Sequence, residues 1–155
     1  MMRLVTAVRR GDCQAALREL ESTDDAMRAS ALRGAAEHGH VEVVHLLLSA
    51  GVPVDAISPR NGYTALQSVV DAGCDPSVIE CLLSRSACPH RRAVNKKAHN
   101  CFNFIQSCTE GARKAAILRL ISEHTCSLCS HVVLCTRTFI HQYQCHTSIM
   151  NARVH

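Results

Sequence analysis

The chain has 155 residues, room for one domain and a tail, and is 47% apolar but only 3% aromatic, with no Trp and a formal charge of +4. So aliphatic a composition argues against carbohydrate and single-stranded nucleic-acid sites, both of which favour aromatic stacking. No run of about 20 apolar residues is present to span a bilayer. The start, MMRLVTAVRRGDC, lacks the apolar stretch of a secretory leader. Ten cysteines are spread along the chain. Without a leader they are expected to be free thiols in a reducing compartment, the cytoplasm or the nucleus.

In chain order, a block of the form apolar-x-x-compact-compact-x-x-Gly recurs four times. It reads Leu4 to Gly11, Leu32 to Gly39, Leu66 to Gly73 and Phe104 to Gly111, with leading residues 28, 34 and 38 positions apart. Self-similarity at this period marks a stacked-repeat protein, because a unit of this length cannot bury its apolar face alone. In the first copy Gly11 leads to Ala16, Leu17 and Leu20, and Arg3, Arg9, Arg10 and Arg18 suit an exposed end cap. In the second, Ser30 is expected as N-cap. The pair Ala35-Ala36 fits an inner helix where neighbours approach closely, and Gly39 stands where that helix must end in a left-handed residue. Val43, Val44, Leu47 and Leu48 then build the apolar seam of a second helix. Asn61-Gly62 is a turn signal, and Thr64-Ala65-Leu66-Gln67 reads as a capping box. Gly73 repeats the left-handed stop. Asp75-Pro76 opens the next helix, with Asp as cap and Pro where a missing N–H costs nothing, and Leu82 and Leu83 continue the seam. In the fourth copy Ser107-Cys108 is the compact pair, and Gly111 leads to Ala116, Ile117, Leu120 and Ile121.

Residues 31–56, ALRGAAEHGHVEVVHLLLSAGVPVDA, closely resemble the ankyrin repeat, T-P-L-H-x-A-A-x-x-G-H-x-x-V-V-x-L-L-L-x-x-G-A. Leu32, Ala35, Ala36, Gly39, His40, Val43, Val44, Leu46, Leu47, Leu48 and Gly51 fall on that pattern. Residues 61–87 fit with one extra residue before Val78. The resemblance covers about residues 2–123, specific in the middle two copies and degenerate in the outer two. It implies an all-α solenoid of about four helix–turn–helix units joined by hairpin loops, monomeric, holding another protein against its hairpin tips and first helices. On the family's pattern the partner-facing positions are Arg9, Arg10, Glu37, His38, Asp71, Ala72, Thr109 and Glu110 before the turn glycines, with Arg60 and Tyr63 at the second hairpin; Arg91 and Arg92 of the basic third hairpin region are further candidates. Tyr63 is the expected anchor, since aromatics and Arg dominate interface energies; the competing role for it is to cover the neighbouring loop. The resemblance also implies no catalysis, and no phosphate loop, paired-carboxylate or nucleophile signature argues otherwise. His40 falls on the family's Gly-His turn as a structural residue.

The chain departs from the family in ways that matter. Arg33, Gln67 and Ile105 replace the family histidine, so its polar link to the adjacent loop is lost or altered. The first hairpin is about five residues short against a period of ~33. Ile105 leaves the fourth copy without a polar cap.

Two segments carry chemistry outside the repeat pattern. The cluster His90, Arg91, Arg92, Lys96, Lys97 and His99 favours an acidic partner surface or a nuclear localisation signal, against the plainer reading of a solvated loop. Residues 124–155 hold no Asp or Glu, four of the ten cysteines and five of the ten histidines. Cys126, Cys129, His141 and Cys145 have roughly zinc-finger spacing, with His124 or His146 as substitutes, although Val133 and Thr138 stand where such a finger needs an aromatic and a leucine. The expectation is no cofactor. The alternative is an ankyrin array with a zinc-binding module, and the segment reads as a separable tail, the other readings being a cap on the fourth copy or an extension past the authentic reading frame.

Overall fold

The computed structural model describes residues 3–73, 75–92, 94, 101, 103, 105 and 111–124. Seven helices are described: α1 Arg3–Arg10, α2 Cys13–Leu20, α3 Asp25–Glu37, α4 Val41–Ser49, α5 Ala65–Ala72, α6 Pro76–Ser84 and α7 Gly111–Glu123. No strand occurs among the described residues. The fold is all-α.

The helices form two layers. α1, α3 and α5 lie side by side as an inner layer, and α2, α4, α6 and α7 succeed one another as an outer layer. Each inner helix also packs on the outer helix that comes next in the chain. This is how short amphipathic helices solve their burial problem: none can cover its apolar stripe alone, but each gains a partner across the layer and one alongside. The continuous core runs from Leu4 and Val8 through Leu32, Val44 and Leu47 to Leu66, Ile79 and Leu82, and ends on Ile105, Ile117 and Ile121. Val43, Val44, Leu47, Leu48, Leu82 and Leu83 are all buried, as their spacing predicts. Ala35 and Ala36 have no exposed surface, which is the close approach that small side chains permit. Ile105 is likewise fully buried, so its apolar side chain extends the core at a position the family pattern makes polar.

Local caps fix most boundaries. Asp12 accepts the Ala15 N–H at 3.0 Å and starts α2. Both arms of the capping box form at α5: Thr64 Oγ1 accepts the Gln67 N–H at 3.3 Å, and Gln67 Oε1 accepts the Thr64 N–H at 2.9 Å. Asp75 caps α6 with Pro76 in the first turn. Gly73 ends α5 in the left-handed region (φ 66°, ψ 36°), where a side chain would be strained.

Ser30 is not an N-cap. α3 begins at Asp25, with Asp24 accepting the Met27 N–H at 2.8 Å. Ser30 lies inside the helix, where its hydroxyl donates to the Ala26 carbonyl at 3.0 Å and sits 3.4 Å from Ser58 Oγ. The shortness of the first hairpin explains the shift. Only four residues, 21–24, separate α2 from α3. Asp24, on extended backbone (φ −74°, ψ 164°), supplies a better-placed carboxylate than a serine further on. Arg28 then reaches back from α3 to cap α2, donating from Nη2 to the Leu20 carbonyl at 3.0 Å.

The fourth copy also differs. Gly111 is the first residue of α7 rather than a left-handed residue ahead of it. His124 closes the last turn of α7, its N–H donating to the Leu120 carbonyl at 3.2 Å, so it belongs with the helix rather than with residues 125–155. Cys126, Cys129, His141 and Cys145 lie outside the described residues, as do Cys74, Cys108, Lys96, Lys97, His99, Thr109 and Glu110.

Candidate protein-binding surface

The candidate residues fall into two groups at opposite ends of the inner helices. α5 makes this plain: Tyr63 precedes its N-cap and Asp71 lies in its last turn. At 1.5 Å per residue these ends are about 12 Å apart along the axis.

The first group forms a row along the inner-to-outer turns. Arg9 and Arg10 end α1, Glu37 ends α3 with His38 as its C-cap, and Asp71 and Ala72 end α5. Because α1, α3 and α5 are neighbours, these pairs fall side by side. Arg9, Arg10, His38 and Asp71 are exposed, while Glu37 is half-buried. Glu37 Oε2 accepts from Arg33 Nη1 at 2.6 Å, an i,i+4 ion pair whose Arg33 side chain is only 12% exposed. Here the residue replacing the family histidine spends its charge on its own helix. The turns are stitched across repeats. His40 Nε2 meets the Arg9 carbonyl at 2.9 Å, and its ring lies so close to Gly11 that a Cβ there would come within 3.0 Å of Nδ1. The His38 and His40 rings stand edge-on, 6.2 Å between centroids. At the next turn Arg113 of α7 reaches Gly73, with Nη1 3.1 Å from where a Cβ would sit. The Asp75 carboxylate beside it accepts the Ser77 N–H at 2.9 Å and the Ser77 hydroxyl at 2.8 Å. Those bonds, with Arg113 as a smaller influence, hold its carboxyl below the usual carboxylate range.

The second group sits on the hairpin edge. The turn at Asn61-Gly62 closes as expected: Ser58 N–H donates to the Tyr63 carbonyl and Gly62 N–H to the Ser58 carbonyl, both at 2.9 Å. The third loop is bonded to it at three points. Gln67 Nε2 donates to the Arg91 carbonyl at 2.5 Å. The Cys88 N–H donates to Asp55 Oδ1 at 3.0 Å. The Val94 N–H donates to the Gly62 carbonyl at 2.8 Å. Arg60, Arg91 and Arg92 are exposed on this edge, and Tyr63 is half-buried against the core. Beneath the edge, burial pushes the Cys101 thiol well above the usual thiol range, with Cys88 and Asp55 adding to it. Partial burial pulls the His90 imidazole below its ordinary value.

Residues 32–83, from the middle of α3 to the end of α6, match the family model described as ankyrin repeats in many copies. Residues 32–83 are ankyrin repeats. No curated protein matches it. The matched stretch is the part whose caps, turn glycines and apolar seams are most regular, and the two helix layers continue on both sides of it, through α1 and α2 before and α7 after. The family's histidine link to the adjacent loop is not lost in the third unit. Gln67 takes it over, serving the capping box with its oxygen and the next loop with its nitrogen. Arg33 does not take it over in the second.

Beyond the ankyrin surface, a cleft of about 240 Å³ opens between the start of α1 and the α2–α3 turn, walled by Arg3, Leu4, Glu19, Thr23 and Met27. Among the described residues no three His, Cys, Asp or Glu side chains gather as metal ligands. No helix among them is long and apolar enough to cross a membrane. Sequence reasoning missed Arg113, whose reach to Gly73 no spacing rule signals. It also missed Val94, although its place beside Arg91 and Arg92 was a signal to be used.

Proposed function

We propose that this ankyrin chain is a protein-binding module, alone or as an adaptor subunit, that holds one partner protein along its hairpin edge and inner-helix turns. The observation that carries the reading is the side-by-side inner layer, which sets Arg9–Arg10, Glu37–His38 and Asp71 in one row on backbone locked by cross-repeat bonds. A rigid row of mixed charge loses little freedom on binding and rewards a complementary surface. Tyr63 is the anchor, presenting part of its ring beside Arg60 and the third loop. Ankyrin repeats present surfaces rather than enclosed reaction sites, and the module acts as a monomer in a reducing compartment, the cytoplasm or nucleus.

The test is capture on the immobilised full chain, with captured proteins identified by mass spectrometry, repeated with Arg10→Glu plus Asp71→Lys and with Tyr63→Ala. Each variant is checked for an unaltered melt. Loss of the same partner from both variants supports the reading. Undiminished capture by the charge-reversed variant removes the turn row from the interface, and undiminished capture by Tyr63→Ala removes the anchor. A parent chain that enriches nothing over a bare matrix overturns the proposal.

A further inference from the structure

The hairpin edge is more specific than a generic ankyrin surface. Arg60, Arg91 and Arg92 are exposed there. The described stretches that carry them, 56–70 and 81–92, contain no Asp or Glu. The carboxylate at its border, Asp55, is turned inward onto the Cys88 N–H. A surface region of one sign raises the local concentration of oppositely charged ligands.

On this edge Val94, two residues after Arg92 and bonded to the turn that follows Arg60, is 69% exposed. Every other described valine is buried or half-buried. Val94 is not left to float, since its N–H is bonded to the Gly62 carbonyl. Arg91 is fixed in the same way by Gln67. The backbone at Arg91 and at Val94 is therefore held in place, with exposed arginines near an exposed apolar side chain.

We propose that the hairpin edge of Arg60, Arg91 and Arg92 around Val94 receives an acidic peptide segment of the partner, with an apolar side chain of that segment seated on Val94. The proposal rests on the protein-binding reading and names the chemistry of the partner. Carboxylates of the segment answer the guanidinium groups, for which Arg offers paired donors, and the apolar contact sets register. A nucleic acid would also answer the charge. However, among the described residues of the edge the one aromatic ring of Phe, Tyr or Trp is half-buried Tyr63, where a strand of bases needs a platform to stack on, and the edge places a valine where a phosphate backbone has no use for one.

The test uses the full chain and three probes: a short fluorescein-labelled peptide alternating Glu and Ser around one central Leu, the same peptide with Ser for that Leu, and a single-stranded thymidine oligonucleotide of equal charge. Fluorescence anisotropy reads affinity. The Leu peptide is expected to bind, and to weaken as salt rises from about 50 to 200 mM. Arg60→Glu plus Arg91→Glu should weaken it at least about tenfold, and Val94→Ser about threefold. Arg3→Glu plus Arg18→Glu makes the same charge change elsewhere on the surface and should leave affinity within about twofold, because screening isolates distant charges. The Leu peptide should bind tighter than its Ser counterpart. Equal losses in the two double variants, or tighter binding of the oligonucleotide, overturn the proposal. No peptide binding by a chain that still captures its protein partner overturns this inference alone, and loss of both overturns the protein-binding reading as well.

Discussion

Replacing Gln67 by Ala removes one side chain that serves two neighbours. Gln67 and Thr64 are both fully buried. Losing Oε1 leaves the Thr64 N–H without its capping-box acceptor, and a buried orphan donor costs about 1–3 kcal/mol. Losing Nε2 frees the Arg91 carbonyl, which lies on an exposed residue and can recruit water, so that loss costs about 0.5–1 kcal/mol. The truncated side chain also leaves a small void, adding on the order of 1 kcal/mol. The terms share one site and do not simply add; a total of about 2–4 kcal/mol is expected. For a chain of this size that lowers the melting midpoint by roughly 10 °C. Urea unfolding followed by circular dichroism measures it, with an unchanged m-value as the sign that the native state is otherwise intact. Gln67→His restores the residue of the family pattern and should recover part of the loss by donating to the Arg91 carbonyl. If Gln67→Ala costs less than about 0.5 kcal/mol, the bond to the third loop is not holding the hairpin edge in place, because even a modest net hydrogen bond exceeds that.

Other outcomes rest on the same packing. Leu47 is fully buried between the layers, and Leu47→Ala should cost about 2–5 kcal/mol; a melt within a degree or two of the parent would mean the assigned repeat register is wrong. Because the Asp75 carboxyl is held below its ordinary value of 3.8, its contribution is complete above that pH and is lost as pH falls through the lower folded value. Stability of the parent should therefore drop more steeply below about pH 4 than that of Asp75→Asn, read from urea midpoints across an acid series. Deleting residues 125–155 should leave the melt unchanged and the purified chain free of zinc. A large loss of stability without zinc would assign the segment a capping role, and stoichiometric zinc lost on deletion would assign it a metal site.

Local chemistry determined much of this protein from its sequence. The Thr64–Gln67 box, the Asp75-Pro76 start, the left-handed Gly39 and Gly73 and the Val43–Leu48 seam each involve residues within a few positions of one another. Backbone geometry alone brings such residues together, so the pattern could be read before any packing was known. Even here, locality failed where the chain deviates from its own repeat: the shortened first hairpin moved the start of α3 from Ser30 to Asp24 and Asp25, because a nearer carboxylate became available.

The tertiary structure alone decided what lies between repeats. Gln67 meets the Arg91 carbonyl across 24 positions, His40 meets the Arg9 carbonyl across 31, and Asp55 meets the Cys88 N–H across 33. No constant period predicts these pairs, since the repeat blocks themselves begin 28, 34 and 38 residues apart. Each pair depends on how one layer slides against the next, and that is set by which side chains fill the core. The same packing split the candidate surface into a turn row and a hairpin edge. It left Val94 exposed among the arginines while the other described valines went wholly or partly inside, because burial is decided by neighbours in space and not by residue type.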